Sequence, residues 1–371
     1  MDTAQENLID SPGTETGSDV MTGGSDPGTA RVDLSMLSPE KLASELKPLK
    51  LPAYRIKQIG KWLAEGASFS EMTNLPVDLR VALAEKYSDG TMKIVGKLMS
   101  TIDGTAKYLM STTDGNIIES VLMKYKYGYS ACVSSQAGCK MGCTFCASAH
   151  AGFGRSLTAG EIAGQIKAMN RDAGVKIGHV VMMGIGEPLD NYDNSVAFMR
   201  MAHDPDGLNI SYRKMSLSTC GLIPGIEKLM KEDLPVTLSV SLHSPFQEER
   251  ARMMPVANKY KLDKLLEVCK TYSLETGRRI TYEYAVISGT NDTGAHAKEL
   301  IRLLGGTLCH INLIPVNPVD GTGYRRAGRE KIEEFRSALE KGGLSATVRR
   351  ATGRDIEAAC GQLRRKALEP K

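Results

Sequence analysis

The chain has 371 residues, of which 42% are hydrophobic and 24% charged, and its formal net charge is +4. This composition is ordinary for a soluble globular protein with one large domain or two smaller ones. It contains no run of ~18 apolar residues that could cross a membrane, and its start lacks the pattern of a signal or transit peptide. We therefore expect a cytoplasmic protein.

The first segment, residues 1–33, is predicted to be a disordered acidic tail because Gly, Ser, Thr, Asp and Pro dominate it and little of it can be buried. Residues 1–30 hold six acidic residues and no Lys or Arg, so the rest of the chain has 37 of the 43 acidic residues, all 47 basic ones and a net charge of +10. That surplus suits a polyanionic partner, although a solvated basic surface would give the same count.

Residues 34–90 are predicted to form a small N-terminal helical domain. Ser38-Pro39-Glu40 has the N-cap, the proline and the early acid of a helix start, and helical patterns follow at 54–65 and 75–87. Basic residues of these helices are Lys57, Lys61 and Arg80. The domain either docks RNA or only packs against the rest of the chain.

Residues 91–371 are predicted to form an α/β catalytic domain. Asp114-Gly115, between strand-like runs, indicates an adjoining β-hairpin. Six further strand-like runs lie at 130–134, 179–183, 214–219, 236–242, 281–285 and 309–314. Helical patterns alternate with them at 159–171, 194–202, 226–231, 264–276 and 295–304. Six β–α units favour a parallel sheet curved into a partial (βα)6 barrel, with its chemistry at the carboxyl ends of the strands.

The spacing of three cysteines is the strongest indication of function. Cys139, Cys143 and Cys146 form a C-x₃-C-x₂-C run directly after a predicted strand. Three thiolates on one loop can hold three irons of a [4Fe–4S] cluster and leave the fourth iron open to a substrate. Together with His150, the same cysteines could instead form a tetrahedral Cys₃His zinc site.

Several further motifs occur in the order found in one known family. They are MTNLP at 72–76, CVSSQ at 132–136, GIGEP at 184–188, LIPVNP at 313–318 and DIEAACGQL at 355–363. From about residue 51 to residue 364, the chain thus resembles the RlmN/Cfr family of rRNA methyltransferases within the radical SAM superfamily. The resemblance implies a radical SAM barrel that binds S-adenosylmethionine (SAM) and holds a [4Fe–4S] cluster on the three cysteines.

The resemblance also implies roles for residues outside the cysteine run. SAM contacts would come from Gly186, Glu187, Ser218, Ser241, Leu242, His243 and Asn317. Cys360 would take a methyl group from one SAM, and after a second SAM is cleaved that carbon would add to an adenine ring. Glu119 would accept the ring proton, and Cys132 would attack the Cys360 sulfur to release the product and leave a disulfide. Without the resemblance, Glu119 would be interpreted as a solvent-facing strand acid.

The resemblance implies an RNA substrate and an electron donor such as flavodoxin or ferredoxin. One branch of the family methylates C2 of adenosine 2503 in 23S rRNA and C2 of adenosine 37 in tRNAs. The other methylates C8 of the same rRNA adenosine and confers antibiotic resistance. Glu187-Pro188 and the PVNP run at 315–318 resemble the C2 branch, which we therefore expect. A zinc-stabilised RNA-binding protein without catalysis is the alternative from another class.

The remaining cysteines and the basic residues near Cys360 are interpreted separately. Cys269 and Cys309 lie in apolar patterns and are predicted to be buried core thiols, whereas Cys220 departs from the family pattern close to a SAM-contact position. The basic residues around Cys360 are Arg349, Arg350, Arg354, Arg364, Arg365 and Lys366. They are expected to contact RNA phosphates, with a merely charged surface as the alternative.

Overall fold

The computed structural model describes residues 31–205, 207–319 and 321–363. The tail predicted at residues 1–30 and the basic residues 364–366 lie outside these ranges. One boundary of the prediction is wrong, because the last residues of the predicted tail belong to the folded part. Val32–Asp33 (β1) pairs in parallel with Tyr87–Ser88 (β2) and starts the N-terminal domain.

The N-terminal helices are close to their predicted positions. They are α1 at Pro39–Glu45, α2 at Ala53–Ala64 and α3 at Val77–Lys86. The Ser38 hydroxyl accepts a hydrogen bond from the Lys41 backbone N–H and caps α1, as the sequence predicts. The helices enclose a small core of their own that includes Leu42, Ile59, Leu63, Met72 and Leu83. Burial of these side chains explains why so short a segment forms three helices.

Ten strands of the described residues form the central sheet. In chain order they are β3 Lys93–Met99, β4 Ala106–Ser111, β5 Ile117–Tyr125, β6 Gly128–Cys132, β9 Ile177–Met182, β10 Met215–Thr219, β11 Thr237–Ser241, β12 Ile280–Val286, β13 Cys309–Pro315 and β14 Ala346–Val348. A separate two-stranded hairpin, β7 Gln136–Gly138 and β8 Phe153–Ser156, lies between β6 and β9 in the chain. The spatial order is β14-β13-β12-β11-β10-β9-β6-β5-β4-β3.

The sheet confirms the predicted fold class. All six predicted strands, β6 and β9 to β13, are present and pair in parallel. The predicted hairpin of β4 and β5 is present too, and with β3 it extends the sheet in antiparallel fashion beside β6. β14 adds a seventh parallel strand that the sequence did not predict, because three residues are too short for a periodic pattern. The sheet is open, with β3 and β14 at its edges.

Helices cover the connections between the parallel strands. They are α4 Ala147–His150, α5 Ala159–Ala173, α6 Tyr192–His203, α7 Ile223–Leu229, α8 Gln247–Met253, α9 Val256–Lys259, α10 Leu262–Thr276, α11 Gly294–Leu304 and α12 Arg329–Lys341. α5 shows the local signals clearly: Thr158 and Glu161 form a capping box, and Gly174 ends the helix at φ +62°. Within the described ranges, no helix is both long and apolar enough to span a membrane.

The topology determines where a site can form. Because the parallel strands run in one direction, their carboxyl ends lie along one edge of the sheet. Cys132, Thr219 and Ser241 are the last residues of β6, β10 and β11. Polar residues that are far apart in sequence therefore meet at this edge.

Candidate active site

A cavity of about 960 Å³ opens at the carboxyl ends of the parallel strands. Cys139, Cys143 and Cys146 line it, and so do six of the predicted SAM contacts: Gly186, Glu187, Ser218, Ser241, His243 and Asn317. Leu242 does not line it; its side chain is fully buried in the core. The structure therefore brings together the predicted cluster ligands and all but one of the predicted SAM contacts.

The loop that carries the three cysteines depends on a close approach between two backbones. Gly138, at φ +92°, ends β7 just before Cys139, and a Cβ there would overlap the carbonyl oxygen of Gly152. The backbone N–H of Cys139 donates to the same oxygen at 3.2 Å. On the other side, the backbone N–H of Thr144 donates to the carbonyl of Met253 at 3.0 Å. The loop is thus held from both sides, with its thiols facing the cavity.

Burial and a nearby positive charge act in opposite directions on the thiols of this loop. Burial raises the pKa of Cys139 to about 12 and also raises the pKa of Cys143, so both would be protonated until a metal displaces the proton. Arg250 is fully buried and electrostatically coupled to Cys143. Its Nη2 donates to the carbonyls of Cys220 and Ser241, while its Nε and Nη1 have no partner among the described residues. A buried positive charge and three thiols on one loop fit a thiolate-bound [4Fe–4S] cluster.

The alternative zinc site would need His150 as its fourth ligand, about 2.0–2.1 Å from an ion that the three thiols share. His150 is exposed, and its Nε2 lies 3.2 Å from the carbonyl oxygen of Thr144.

Glu187 and His243 form a polar wall of the cavity. The Glu187 carboxylate accepts hydrogen bonds from the backbone N–H groups of Leu189 (3.0 Å) and Cys220 (2.7 Å), and burial raises its pKa. His243 has a left-handed backbone (φ 58°), and its Nδ1 accepts from the backbone N–H of Ala285 at 3.0 Å. Burial, with a smaller contribution from Arg250, lowers the pKa of His243 to about 3. The imidazole is therefore neutral and carries its hydrogen on Nε2.

Cys360 lines the same cavity and a smaller one, of about 470 Å³, that also contains Cys132. Contacts from distant elements hold its segment. Asn317 Nδ2 donates to the Cys360 carbonyl at 3.2 Å, and the backbone N–H of Ala147, next to Cys146, donates to the Gly361 carbonyl at 2.8 Å. Cys360 therefore lies between the cluster loop and Cys132.

Arg349 corrects one expectation from the sequence. It does not lie on the outer surface but lines both cavities, with its Nη1 3.2 Å from Met183 Sδ. The pKa of Arg349 is raised chiefly by Cys360 and also by Glu283 and Cys132, against the effect of burial. Burial raises the pKa of Cys132 to about 12, the neighbouring Cys360 adds to this rise, and Arg349 opposes it. Arg349 therefore favours the thiolate form of Cys132.

Glu119 is not the solvent-facing acid that its sequence position alone would indicate. Its side chain is 1% exposed, and its Oε1 lies 3.5 Å from Lys107 Nζ. Glu119 shares one face of β5 with Val121 and Met123, which line the Cys360 cavity. Glu119 itself does not line that cavity, so the structure brings it near the site without exposing it there.

Sequence reasoning missed Arg250 and Glu283. Glu283 lines the cavity, and Arg250 donates to the carbonyls of two lining residues, Cys220 and Ser241. Cys269 and Cys309 are buried in the core as predicted, and Cys220 lies next to the predicted SAM contacts. Cys220 lines the cavity and presents its backbone N–H to Glu187. Glu283 offered a usable signal, because an acid within an otherwise uncharged, buried strand is uncommon. The sequence gives no comparable signal for Arg250, since an arginine in a charged helix normally faces solvent.

Comparison with known proteins gives matches over most of the chain. The sequence model of the Radical SAM superfamily matches residues 133–304. A protein of Alkaliphilus oremlandii named "Probable dual-specificity RNA methyltransferase RlmN" is 49% identical over 340 residues, which are 91% of this chain and 99% of that protein. A protein of the same name from Lachnoclostridium phytofermentans is 47% identical over 339 residues, 91% of this chain and 95% of that protein.

A solved structure is also similar. The crystal structure of a radical SAM methyltransferase from Sphaerobacter thermophilus superimposes with a TM-score of 0.84 at 41% sequence identity. The match covers 90% of this chain and 100% of that one, so it includes both the N-terminal helices and the sheet.

Proposed function

Because the chain belongs to the RlmN family of radical SAM RNA methyltransferases, we propose that it methylates C2 of adenosine 2503 in 23S rRNA and C2 of adenosine 37 in tRNAs. One observation carries the proposal: Cys360 lines both the cavity of the cluster cysteines and the cavity that contains Cys132. A residue that carries a methyl group between SAM and RNA must reach both. Family membership also overturns the alternative of a zinc-stabilised protein without catalysis.

The radical SAM fold implies SAM and a [4Fe–4S] cluster as cofactors. Cys139, Cys143 and Cys146 would hold the cluster, and Glu187 and His243 would border the SAM molecule. When bound, SAM and the cluster together supply the one-electron chemistry that activates a methyl carbon. Two SAM molecules are needed per turnover, one as methyl donor and one for activation, with flavodoxin or ferredoxin as the electron donor.

The chain's own residues carry the carbon and release the product. Cys360 holds the methyl carbon as a thioether. That carbon would lose one hydrogen atom to the radical that cleavage of the second SAM supplies, and would then form a bond to the adenine ring. Glu119, as its carboxylate, takes up the ring proton, and the one electron left over would pass to the cluster. The Cys132 thiolate then attacks the Cys360 sulfur: an S–S bond forms, the S–C bond breaks, and its electron pair stays with the carbon, which takes up a proton. Arg349 lowers the energy of the thiolate that attacks.

The basic residues outside the cavity suit the RNA backbone. Arg326, Arg350 and Arg354 line an open groove, and none forms an ion pair with a carboxylate of the described residues. Asp103 and Asp355 also line it, but backbone N–H groups and hydroxyls already occupy their carboxylates. The groove shares Asn317, Arg350 and Ala351 with the Cys360 cavity. These arginines would bind phosphates next to the methylated base.

The N-terminal domain would provide a second contact with RNA. Lys57 and Lys61 on α2 form no ion pair with another described residue, so their charges are available to phosphates. Arg80 is less available, because its Nη1 donates to the Ser70 carbonyl at 2.7 Å. A cytoplasmic location follows from the proposed substrates, since rRNA and tRNA are modified there.

The two lone cysteines give the direct test of this function. Cys132→Ala should accumulate RNA attached covalently through Cys360, because the carbon can be added but not released. Cys360→Ala should form no adduct, because nothing carries the methyl group. Both variants should keep their iron, and the readout is a nuclease-sensitive mass increase of the protein. Adduct from Cys360→Ala, or free turnover by both variants, would contradict the covalent mechanism.

The position of the methyl group needs a separate measurement. Nucleoside mass spectrometry of RNA treated with the enzyme should detect 2-methyladenosine at the rRNA site and at tRNA position 37. Detection of 8-methyladenosine would assign the chain to the C8-methylating activity instead. Product in rRNA alone would remove tRNA from the proposal.

A further inference from the structure

Arg250, on α8, is a charged side chain that the fold encloses completely, with 0% of its surface exposed. Its Nη2 donates to the backbone carbonyls of Cys220 at 2.8 Å and Ser241 at 3.1 Å. Its Nε and Nη1 are also buried, and neither has a hydrogen-bond partner among the described residues. None of the ion pairs between described residues includes Arg250. The described residues thus give this buried charge two carbonyl oxygens but no carboxylate as an ion-pair partner.

The cavity of the cluster cysteines lies beyond the two carbonyls that Arg250 binds. Cys220 and Ser241 both line that cavity, whereas Arg250 does not. Met253, on the same helix as Arg250, belongs to a small buried group of side chains against which Cys143 packs. The guanidinium therefore lies behind the cavity wall, on the side where α8 meets the cluster loop.

From this position the charge of Arg250 acts on groups of the cavity. Burial lowers the pKa of His243, and Arg250 lowers it further. Burial and, after it, neighbouring thiols raise the pKa of Cys143, and Arg250 opposes that rise. Both effects disfavour positive charge in the cavity and favour negative charge. Because a buried charge without a counter-charge is strongly destabilising, an anionic group in this cavity would also stabilise the protein.

We propose that Arg250 acts on the [4Fe–4S] cluster from behind the cavity wall, and that its buried charge makes the cluster easier to reduce. The inference rests on the proposed function, in which one electron from a flavodoxin or ferredoxin reaches the cluster before SAM is cleaved. That electron adds one negative charge. A positive charge held nearby in the protein interior, where water screens little, stabilises the reduced form more than the oxidised form. Arg250 is thus a positioning residue for charge, and without it the same donor would reduce a smaller fraction of the cluster.

The test measures the midpoint reduction potential of the cluster in the full-length protein. The protein is reconstituted anaerobically with iron and sulfide and titrated with dithionite, and the readout is the EPR signal of the reduced cluster. Arg250→Gln keeps a donor for the carbonyls but loses the charge. At a fixed potential its ratio of reduced to oxidised cluster should fall about tenfold, a shift of about 59 mV toward more negative values. Arg250→Lys keeps the charge and should retain the parental potential.

Arg278→Gln is the matched control. Arg278 Nε donates to the Val236 carbonyl at 2.8 Å, just before β11 begins. Arg278 therefore binds the opposite end of the strand whose last residue, Ser241, is bound by Arg250. Its replacement also removes an arginine that donates to a backbone carbonyl, but it should leave the potential unchanged.

Two results would overturn the role of Arg250: a parental potential in Arg250→Gln, or an equal shift in Arg250→Gln and Arg250→Lys. If Arg250→Gln takes up no iron, a second position decides. Cys269 is a buried neighbour whose negative charge would raise the pKa of Arg250. Cys269→Asp should therefore neutralise the charge without removing Arg250 and should lower the potential, whereas Cys269→Ser should not. Equal potentials in these two variants would then contradict the proposal.

The parent protein separates this inference from the proposed function. If the parent takes up no iron, both fail together. If the parent holds a cluster but methylates no adenosine, the proposed function fails, and the comparison of Arg250→Gln with Arg250→Lys still decides the role of Arg250.

Discussion

An ion pair between Lys107 and Glu119 lies inside the fold. Both side chains are at least 96% buried, and Lys107 Nζ also donates to the Glu357 carbonyl at 3.2 Å. Lys107 thereby connects Glu119 to the segment that carries Cys360. A buried carboxylate without its cation is strongly destabilising, whereas the intact pair contributes little net stability.

Replacement of Lys107 should therefore destabilise the protein more than replacement of a surface lysine. Lys107→Met should lower the free energy of unfolding by ~3 kcal/mol, measured by urea denaturation. The double variant Lys107→Met/Glu119→Gln should recover part of that loss. Lys264→Met is the control: it breaks an ion pair with Glu267 whose side chains are 67% and 64% exposed, and it should change stability by less than ~1 kcal/mol. An equal loss in both lysine variants would contradict a buried pair.

Iron binding should also depend on individual residues of the loop. Replacing Cys139, Cys143 or Cys146 by Ala should abolish bound iron, because the cluster needs all three thiolates of the loop as ligands. His150→Ala should retain iron and the broad absorbance near 400 nm of an anaerobically purified protein, since among the described residues the His150 ring bonds only to the Thr144 carbonyl. Loss of metal from the His150→Ala variant would show that His150 is a metal ligand and would contradict this prediction.

At the scale of elements, β1 and the start of α5 meet around a buried carboxylate. The Oδ1 of Asp33 accepts from the Ser35 backbone N–H at 2.9 Å, but its Oδ2 has no partner among the described residues. A Cβ on Gly160 of α5 would collide with Asp33, so the two elements are in close contact. Burial raises the pKa of Asp33 to about 6 from its ordinary value of 3.8, although Ser35 and Lys167 oppose the rise.

The raised pKa gives stability a predictable pH dependence. The folded state binds the proton more tightly, so the stability from this group is complete below pH 3.8 and is lost as the pH rises through about 6. Asp33→Asn keeps the acceptor and cannot ionise, so it should be more stable than the parent above pH 6, by ~2–3 kcal/mol at most, and equal to it near pH 4. Urea denaturation at both pH values checks this.

A neighbouring aspartate is the control for this prediction. Asp89 accepts from the backbone N–H groups of Phe69 (2.9 Å) and Thr91 (3.0 Å), so both of its oxygens have donors. Asp89→Asn replaces one acceptor by an amide and should destabilise the protein at neutral pH. If Asp33→Asn is destabilising in the same way, its carboxylate is better satisfied than its contacts indicate.

At the scale of the whole molecule, the described fold begins at residue 31 and the chain before it is acidic. Residues 1–30 have few apolar groups that could offset the entropy of ordering, so we expect them to be dispensable. A protein that starts at Arg31 should keep its turnover within about twofold and its thermal midpoint within about 2 °C of the parent. A large loss of turnover would show that the acidic tail takes part in catalysis or in RNA binding.

The whole molecule also shows which parts of the site were predictable. The C-x₃-C-x₂-C run was predictable, because its cysteines are close together in sequence and their spacing alone restricts their geometry. The six parallel strands were predictable too, since alternating strand and helix patterns are local signals. The short strands β1 and β14 were not predictable, because only pairing with another strand stabilises segments of two or three residues.

The sequence by itself determined the fold class, the cysteines of the loop and, through its motifs, the family. Only the tertiary structure decided that Arg349 lines the cavity of Cys132 and Cys360 and that Glu119 is buried against Lys107. The physical reason is that burial and electrostatic partners come from contacts across the sheet. A side chain's neighbours there are set by strand order and register, which no local pattern in the chain specifies.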